Sequence, residues 1–256
     1  MEALDITLSV LLILFFAALL AGFVDTLVGG GGLITIPVLL MCGVPPILTL
    51  GTNKLQAVAG SGTASMIMFM RKRVRFSDVK RLMISAFIGA AVGSIIIQFI
   101  KTDALNVIIP IVITVIAVYF LFAPQRSEMV NKVLLSEKKY RYSVVSSIGF
   151  YDGILGPGTG SFFVLAGVSL RGQEIIEATA IAKTLNFSTN IASLLVFITF
   201  GKILWLVGGV MMLGQLIGSN LGARYLLKIN PTVLKYLLVM MSFAILILWM
   251  LREMSV

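Results

Sequence analysis

Two stretches of the sequence decide the fold, GFVDTLVGGGG at residues 22–32 and GFYDGILGPGTG at residues 149–160. Both contain Gly-Phe-x-Asp, at an offset of 127 residues (149 minus 22), and both then run into a glycine-rich segment inside an apolar region. Glycine destabilises helices and adopts backbone conformations that other residues avoid. The two stretches therefore predict a duplicated chain in which each half contains one broken helix.

Further matches between the halves keep the same order with small gaps. They pair Thr49 with Thr179, Leu55 with Leu185, Gln56 with Asn186, Gly89 with Gly214 and Gly93 with Gly218. The one long polar stretch of the chain lies between the two sets. We therefore expect an N-terminal membrane repeat at residues 1–123, a linker at 124–141 and a C-terminal membrane repeat at 142–256.

The composition is that of a membrane protein. Of the 256 residues, 59% are hydrophobic and 12% are charged, and the mean hydropathy is +1.05. A soluble fold of this size could not bury so much apolar surface. No Lys or Arg precedes the first apolar segment, so we interpret that segment as a retained helix rather than a cleaved signal peptide. The sequence thus predicts an all-α polytopic membrane protein.

The composition also limits which catalytic and metal-binding groups the protein can use. The chain has no His, and Cys42 is its single Cys, which excludes His-based acid–base catalysis and His or thiolate metal sites. We therefore expect a protein that is not an enzyme and that has no cofactor and no metal. The 20 basic residues exceed the 11 acidic ones, but they lie between apolar segments. That placement favours a role in membrane orientation over nucleic-acid binding.

The positive charges predict how the chain crosses the membrane. The loop at 71–81 holds six Lys or Arg residues and the linker at 124–141 holds five, so both should be cytoplasmic. A third cluster at 224–235 also falls inside if each half crosses an odd number of times. We therefore expect inverted repeats, each with about four long helices and one short broken helix. The protein should cross its membrane several times.

The glycine runs are candidate anion sites. A run that opens a short helix leaves several N–H groups free at the positive end of the helix dipole. Irregular backbone is tolerated at membrane depth only where it is buried in protein or lines a wet cavity. The alternative is that glycine here only permits a tight turn and close packing. Occurrence at equivalent places in both halves favours the anion sites.

Charged and amide side chains inside the apolar segments extend this interpretation. Such residues usually face a cavity or a partner, because intramembrane charge is costly. The predicted substrate-binding residues are Gly29, Gly30, Gly31, Gly32, Asn53, Lys54, Gln56, Gly156, Gly158, Thr159, Gly160, Lys183, Asn186 and Asn190. Alternatively, the lysines reach the membrane surface and the amides only join helices. Asp25 and Asp152 are candidates for carrying a coupled proton, or for capping the N–H groups of the breaks.

These motifs together resemble a known family. GFVDTLVGGGGLITIP at 22–37 and GTNKLQ at 51–56 resemble the first-half signature of the TauE/SafE family, the sulfite exporter or toluenesulfonate-uptake-type permeases. GFYDGILGPGTGS at 149–161 and AKTLN at 182–186 are similar to its repeat, especially in the YfcA-like branch. The resemblance covers residues 6–250. It implies a secondary transporter, expected to export small sulfur-containing anions such as sulfite or organosulfonates by alternating access. The family is usually given seven or eight helices, whereas the charge pattern requires an odd number in each half.

The sequence is also compatible with other functions. A transporter or channel for another small anion or metabolite would also use broken helices. An intramembrane aspartyl protease is disfavoured, because residues 156–160 read GPGTG and supply no second Asp. The expected partners are a small anion, the lipid bilayer and a coupled proton, without nucleic acid. The sequence leaves the substrate, the direction of transport and the oligomeric state open.

Overall fold

The computed structural model describes residues 6–27, 29–122 and 133–225, together with Met240 and Phe243. Every regular element in these residues is a helix. The α-helices are α1 (Leu8–Leu27), α2 (Gly32–Met41), α3 (Pro46–Met70), α4 (Phe76–Ile97), α5 (Thr102–Phe122), α6 (Glu137–Lys139), α7 (Ser146–Ile154), α8 (Thr159–Arg171), α9 (Ile175–Thr199) and α10 (Trp205–Tyr225). A π-helical segment, Tyr140–Val145, joins α6 to α7 without a break.

The helices confirm the predicted all-α polytopic membrane protein. Within the described residues, five helices are long and apolar enough to cross a bilayer, namely α1, α4, α5, α9 and α10. α2 and α8 are shorter apolar helices, and each follows a glycine-rich break as predicted. The last part of the predicted linker is helical, because α6 begins at Glu137. The sequence has a further apolar segment at 233–251, which lies outside the described residues apart from Met240 and Phe243.

Glycine allows the chain to turn at the breaks. Gly29 has a φ of +81°, Gly156 of +96° and Gly158 of +79°. Residues with a Cβ rarely adopt these left-handed conformations, so the turns that end α1 and α7 and begin α2 and α8 depend on glycine. Each break thus lets the chain turn between two helices, from α1 to α2 in the first half and from α7 to α8 in the second.

The two halves pack on each other reciprocally. α1 lies along α10, and its repeat equivalent α7 lies along α4, the equivalent of α10. Both contacts are close because they use glycine: a Cβ on Gly218 would overlap the carbonyl oxygen of Leu19, and a Cβ on Gly93 would overlap that of Phe150. These are the small-residue contacts that membrane helices use to approach each other. The halves are therefore interleaved rather than side by side.

α3 and α9 form the centre of the molecule. They pack against each other, while α10 covers α3 and α4 covers α9. Both helices have 25 residues, and each carries a buried lysine eight positions after its first residue, Lys54 after Pro46 and Lys183 after Ile175. The short helix α2 is enclosed by this core, since its residues 33–40 are all buried. The fold thus brings α2, α3, α8 and α9 together in the interior.

Candidate functional site

The two helix breaks meet in the middle of the protein. The Ser161 hydroxyl, in the first turn of α8, donates a hydrogen bond of 2.8 Å to the carbonyl oxygen of Gly29. A Cβ on Gly29 would lie 2.9 Å from the backbone nitrogen of Ser161, so the two chain segments are in direct contact. The Tyr151 hydroxyl, on α7, donates to the carbonyl of Pro157 at 2.7 Å and fixes the second break. The N-terminal ends of α2 and α8 therefore lie at one place.

A buried ion pair connects the halves at this place. The Nζ of Lys54, on α3, donates to Oδ1 of Asp152 at 3.0 Å and to its backbone carbonyl at 2.6 Å. The two side chains are 1% and 2% exposed. The Thr159 hydroxyl also donates to Oδ1 of Asp152, at 2.9 Å. Burying two charges is costly, and their mutual hydrogen bonds offset that cost.

The other lysine makes the reciprocal contact. Lys183, on α9, is 3% exposed, and its Nζ donates to the backbone carbonyl of Asp25. Each lysine thus reaches the aspartate of the opposite half, Lys54 to Asp152 and Lys183 to Asp25. This pairing follows from the interleaved packing of the halves.

The two equivalent aspartates use their carboxylates differently. Oδ1 of Asp25 accepts hydrogen bonds from the backbone N–H groups of Gly30, at 2.9 Å, and Gly31, at 3.0 Å. Asp25 therefore caps the N-terminus of α2, where a negative charge is favourable. Asp152 accepts from side chains instead, and its second oxygen, Oδ2, is buried without a hydrogen-bond partner. At the first break, the Asp25 carboxylate thus accepts backbone N–H groups of the break. At the second break, the Asp152 carboxylate accepts only from side chains.

A polar cavity lies between the breaks. Its empty volume is about 400 Å³, which includes space open to the outside. It is lined by Asp25, Gly31, Gly32, Asn53, Lys54, Gln56, Ala57, Asp152, Gly156, Gly158, Thr159, Gly160, Asn186, Asn190 and Gln215. We call this space the central cavity. Its walls come from both halves of the chain.

Amide side chains line the central cavity in two connected groups. On α3, Oδ1 of Asn53 accepts from the Thr35 hydroxyl at 2.6 Å and from Nε2 of Gln56 at 2.8 Å. On α9, Nδ2 of Asn190 donates to the backbone carbonyl and the Oδ1 of Asn186, at 2.8 and 3.1 Å. These hydrogen bonds fix the orientation of the amides before any ligand arrives.

Several polar groups of the central cavity have no protein partner. Buried oxygen atoms of this kind are Oε1 of Gln56, Oε1 of Gln215 and Oδ2 of Asp152. Among the described residues, the backbone N–H groups of Gly158 and Gly160, at the start of α8, also have no acceptor. Buried polar groups are normally hydrogen-bonded, so unpartnered ones around a cavity indicate a ligand or water.

The structure brings most of the predicted binding residues together. Gly31, Gly32, Asn53, Lys54, Gln56, Gly156, Gly158, Thr159, Gly160, Asn186 and Asn190 line the central cavity, as do both aspartates. Three predicted residues do not line it. Gly29 lies in the contact between the breaks, Gly30 donates to Asp25, and Lys183 donates to the carbonyl of Asp25.

Sequence reasoning missed two residues of the lining, Ala57 and Gln215. Gln215 lies on α10, a helix that the sequence comparison used only for the repeat matches of Gly214 and Gly218. It is 2% exposed and is the first amide side chain of α10, after ten residues without an amide or a charge. An amide at that position in a membrane helix is the signal that could have identified it. Ala57 gives no such signal.

Comparisons with known proteins agree with the sequence motifs. The family model for sulfite exporter TauE/SafE matches residues 14–249. A probable membrane transporter protein of Haemophilus influenzae is 43% identical over 239 residues, covering 93% of this chain and 94% of the relative. The probable membrane transporter protein ORF9 of a Sinorhizobium species is 40% identical over 241 residues, covering 94% and 92%.

A third relative, the probable membrane transporter protein YfcA of Escherichia coli, is 40% identical over 230 residues, covering 90% of this chain and 86% of the relative. No solved structure shows significant similarity to the chain. The family resemblance is confirmed: this chain belongs to the sulfite exporter TauE/SafE family and is a multi-pass membrane transporter.

Proposed function

We propose that this transporter exports small sulfur-containing anions, such as sulfite or organosulfonates, and binds them in the central cavity. The main support for the proposal is one observation. The start of α8, from one half of the chain, and Lys54, from the other, meet at a buried polar cavity that includes unpartnered hydrogen-bonding groups. Small-molecule sites have this form, with a few convergent polar groups in a cleft or cavity.

The donors at the central cavity suit an oxyanion. The N–H groups of Gly158 and Gly160 lie at the positive end of the α8 dipole, where anions are stabilised. The Lys54 ammonium has three N–H bonds, and two of them are used by Asp152. The side-chain nitrogen of Asn186 faces Gly160, 3.8 Å from where a Cβ would stand. At the start of α2, by contrast, Asp25 already accepts the N–H groups of Gly30 and Gly31.

The position of the central cavity supports alternating access. Its walls come from both halves, so rotation of one half against the other would change which side of the membrane it faces. The proposal includes inverted repeats in the cell inner membrane, with the loops at 71–81 and 124–141 in the cytoplasm. The positive charges of those loops support this orientation.

Flux measurements test the proposal. Purified protein in proteoliposomes should take up labelled sulfite or a sulfonate saturably and show counterflow against unlabelled anion on the other side. Lys54→Gln should abolish this flux, whereas Lys80→Gln, an exposed lysine on α4, should retain it. Flux that neither saturates nor shows counterflow would indicate a channel. Equal flux in the two variants would contradict the proposed site.

A further inference from the structure

We infer that the transporter moves one proton with each monovalent anion, and that Asp152 carries this proton while the anion takes its place at Lys54. The inference rests on the proposed function and assigns its coupling. Two residues at equivalent places in the halves differ in their contacts. The Asp25 carboxylate caps a helix, whereas the Asp152 carboxylate has one oxygen, Oδ2, without a hydrogen-bond partner.

The charged side chains around the central cavity balance each other. Four charged side chains lie around the central cavity, and Asp25, Lys54, Asp152 and Lys183 sum to zero. A monovalent anion entering this site would leave an uncompensated negative charge inside the membrane, which is strongly unfavourable. One proton bound at the same time restores neutrality. Anion binding and proton binding therefore favour each other.

Asp152 is the carboxylate better placed to take the proton. Asp25 is the less suitable of the two carboxylates, because its Oδ1 already accepts two backbone N–H groups at the positive end of α2. Asp152 has a buried Oδ2 with no donor opposite it. A proton on that oxygen would add an O–H donor to a cavity whose lining includes two unpartnered acceptors, Oε1 of Gln56 and Oε1 of Gln215.

The remaining titratable groups near Asp152 are engaged by the protein. Tyr151 donates its hydroxyl to the Pro157 carbonyl, and Lys183 donates to the carbonyl of Asp25. Lys54 faces Asp152 in this structure and faces the anion when the site is occupied. Asp152 is therefore the group whose charge changes during the cycle.

The step can be written with all charges balanced. A proton from water on the open side binds Oδ2 of Asp152 and converts the carboxylate to a carboxylic acid. Oδ1 then loses most of its attraction for the Lys54 ammonium, and an oxygen atom of the anion takes its place at Nζ. On the other side the anion leaves, the proton returns to water and the ion pair forms again. One proton and one anion have moved in the same direction.

Proton uptake on anion binding tests the inference. Methanesulfonate is the probe, because its sulfonate group stays ionised across the neutral range. In weakly buffered detergent solution with a pH-indicating dye, about one proton should be taken up for each methanesulfonate bound. Asp152→Asn should bind the anion with no proton uptake. Asp78→Asn, which changes an exposed carboxylate of α4 outside the central cavity, is the matched variant and should keep a ratio near one.

A measurement on the unmodified protein makes the test independent of variant folding. Because binding takes up a proton, methanesulfonate affinity should fall as pH rises, by up to tenfold for each pH unit. Binding that is independent of pH, or proton uptake that persists in Asp152→Asn, would overturn the inference and leave the anion site standing. Absence of methanesulfonate binding at every pH would contradict the proposed function and this inference with it.

Discussion

Lys54 and Asp152, which are 98 positions apart in the sequence, form a buried ion pair with Nζ 3.0 Å from Oδ1. The pair joins α3 of the first half to α7 of the second. Ion pairs buried in this way contribute little net stability compared with apolar contacts, but removal of one partner leaves the other charge unpaired. The pair is therefore a sensitive test of both stability and transport.

Loss of one partner should destabilise the protein, and loss of both should not. We expect Lys54→Met to lower the free energy of unfolding by about 3–5 kcal/mol, because Asp152 is then buried without its partner. The double variant Lys54→Met/Asp152→Asn should recover most of that loss but should remain inactive in flux. Denaturant unfolding in detergent measures both variants. A double variant as unstable as Lys54→Met would show that the ion pair is not the source of the effect.

A methyl group at Gly156 should disturb the ion pair. Its Cβ would lie 2.9 Å from Nζ of Lys54 and 3.0 Å from Oδ1 of Asp152. Gly43→Ala is the matched control, because Gly43 has a φ of +79° against +96° for Gly156 but nothing within 4 Å of its Cβ. Both variants should lose about 1–2 kcal/mol from backbone strain. Anion flux should fall at least tenfold in Gly156→Ala alone, and equal flux in the two would count against the site.

Gln215 should affect transport, although it was not evident from the sequence. Gln215→Leu removes a cavity-lining amide whose buried Oε1 has no partner, so we expect a higher KM for the anion. Gln98→Leu is the control, because Gln98 also has a buried unpartnered Oε1 but does not line the cavity. Flux over a range of anion concentrations separates the two variants. A raised KM in both would assign the effect to a general change in packing.

Asp25 should act mainly as a helix cap. Asp25→Ala removes the acceptor for the N–H groups of Gly30 and Gly31 and should cost about 0.5–2 kcal/mol of stability. Asp25→Asn keeps an oxygen at the same position and should lose less. Hydrogen exchange of a peptide that covers residues 28–35 measures the effect locally. Slow exchange there in Asp25→Ala would contradict the capping role.

Much of the fold could be predicted because the membrane imposes simple rules. Apolar length predicts spanning helices, and paired glycine runs predict broken ones. The short helices α2 and α8 begin at Gly32 and Thr159, within the two glycine-rich stretches at 22–32 and 149–160. The same rules identified Lys54, Asp152 and the amides of α3 and α9, because polar residues are rare at membrane depth.

The contacts across the halves could not be predicted in the same way. Periodicity places Lys54 on the inner face of α3, but the choice of Asp152 as its partner depends on how the halves interleave. Gln215 was missed for a related reason. Gly214 packs against α1, and the next residue lies about 100° further around α10, on the side that faces Gly60 of α3. The orientation of a helix between two neighbours is a tertiary property.

The central claim is that the anion binds between the start of α8, Lys54 and Asn186. A structure of the protein with selenite, a pyramidal three-oxygen analogue of sulfite whose selenium scatters anomalously, tests it most directly. We predict one anomalous peak within hydrogen-bonding reach of the Gly158 or Gly160 N–H groups and of Nζ of Lys54, and no such peak in Lys54→Gln. A selenium peak confined to another part of the protein, or one unchanged in Lys54→Gln, would contradict the account.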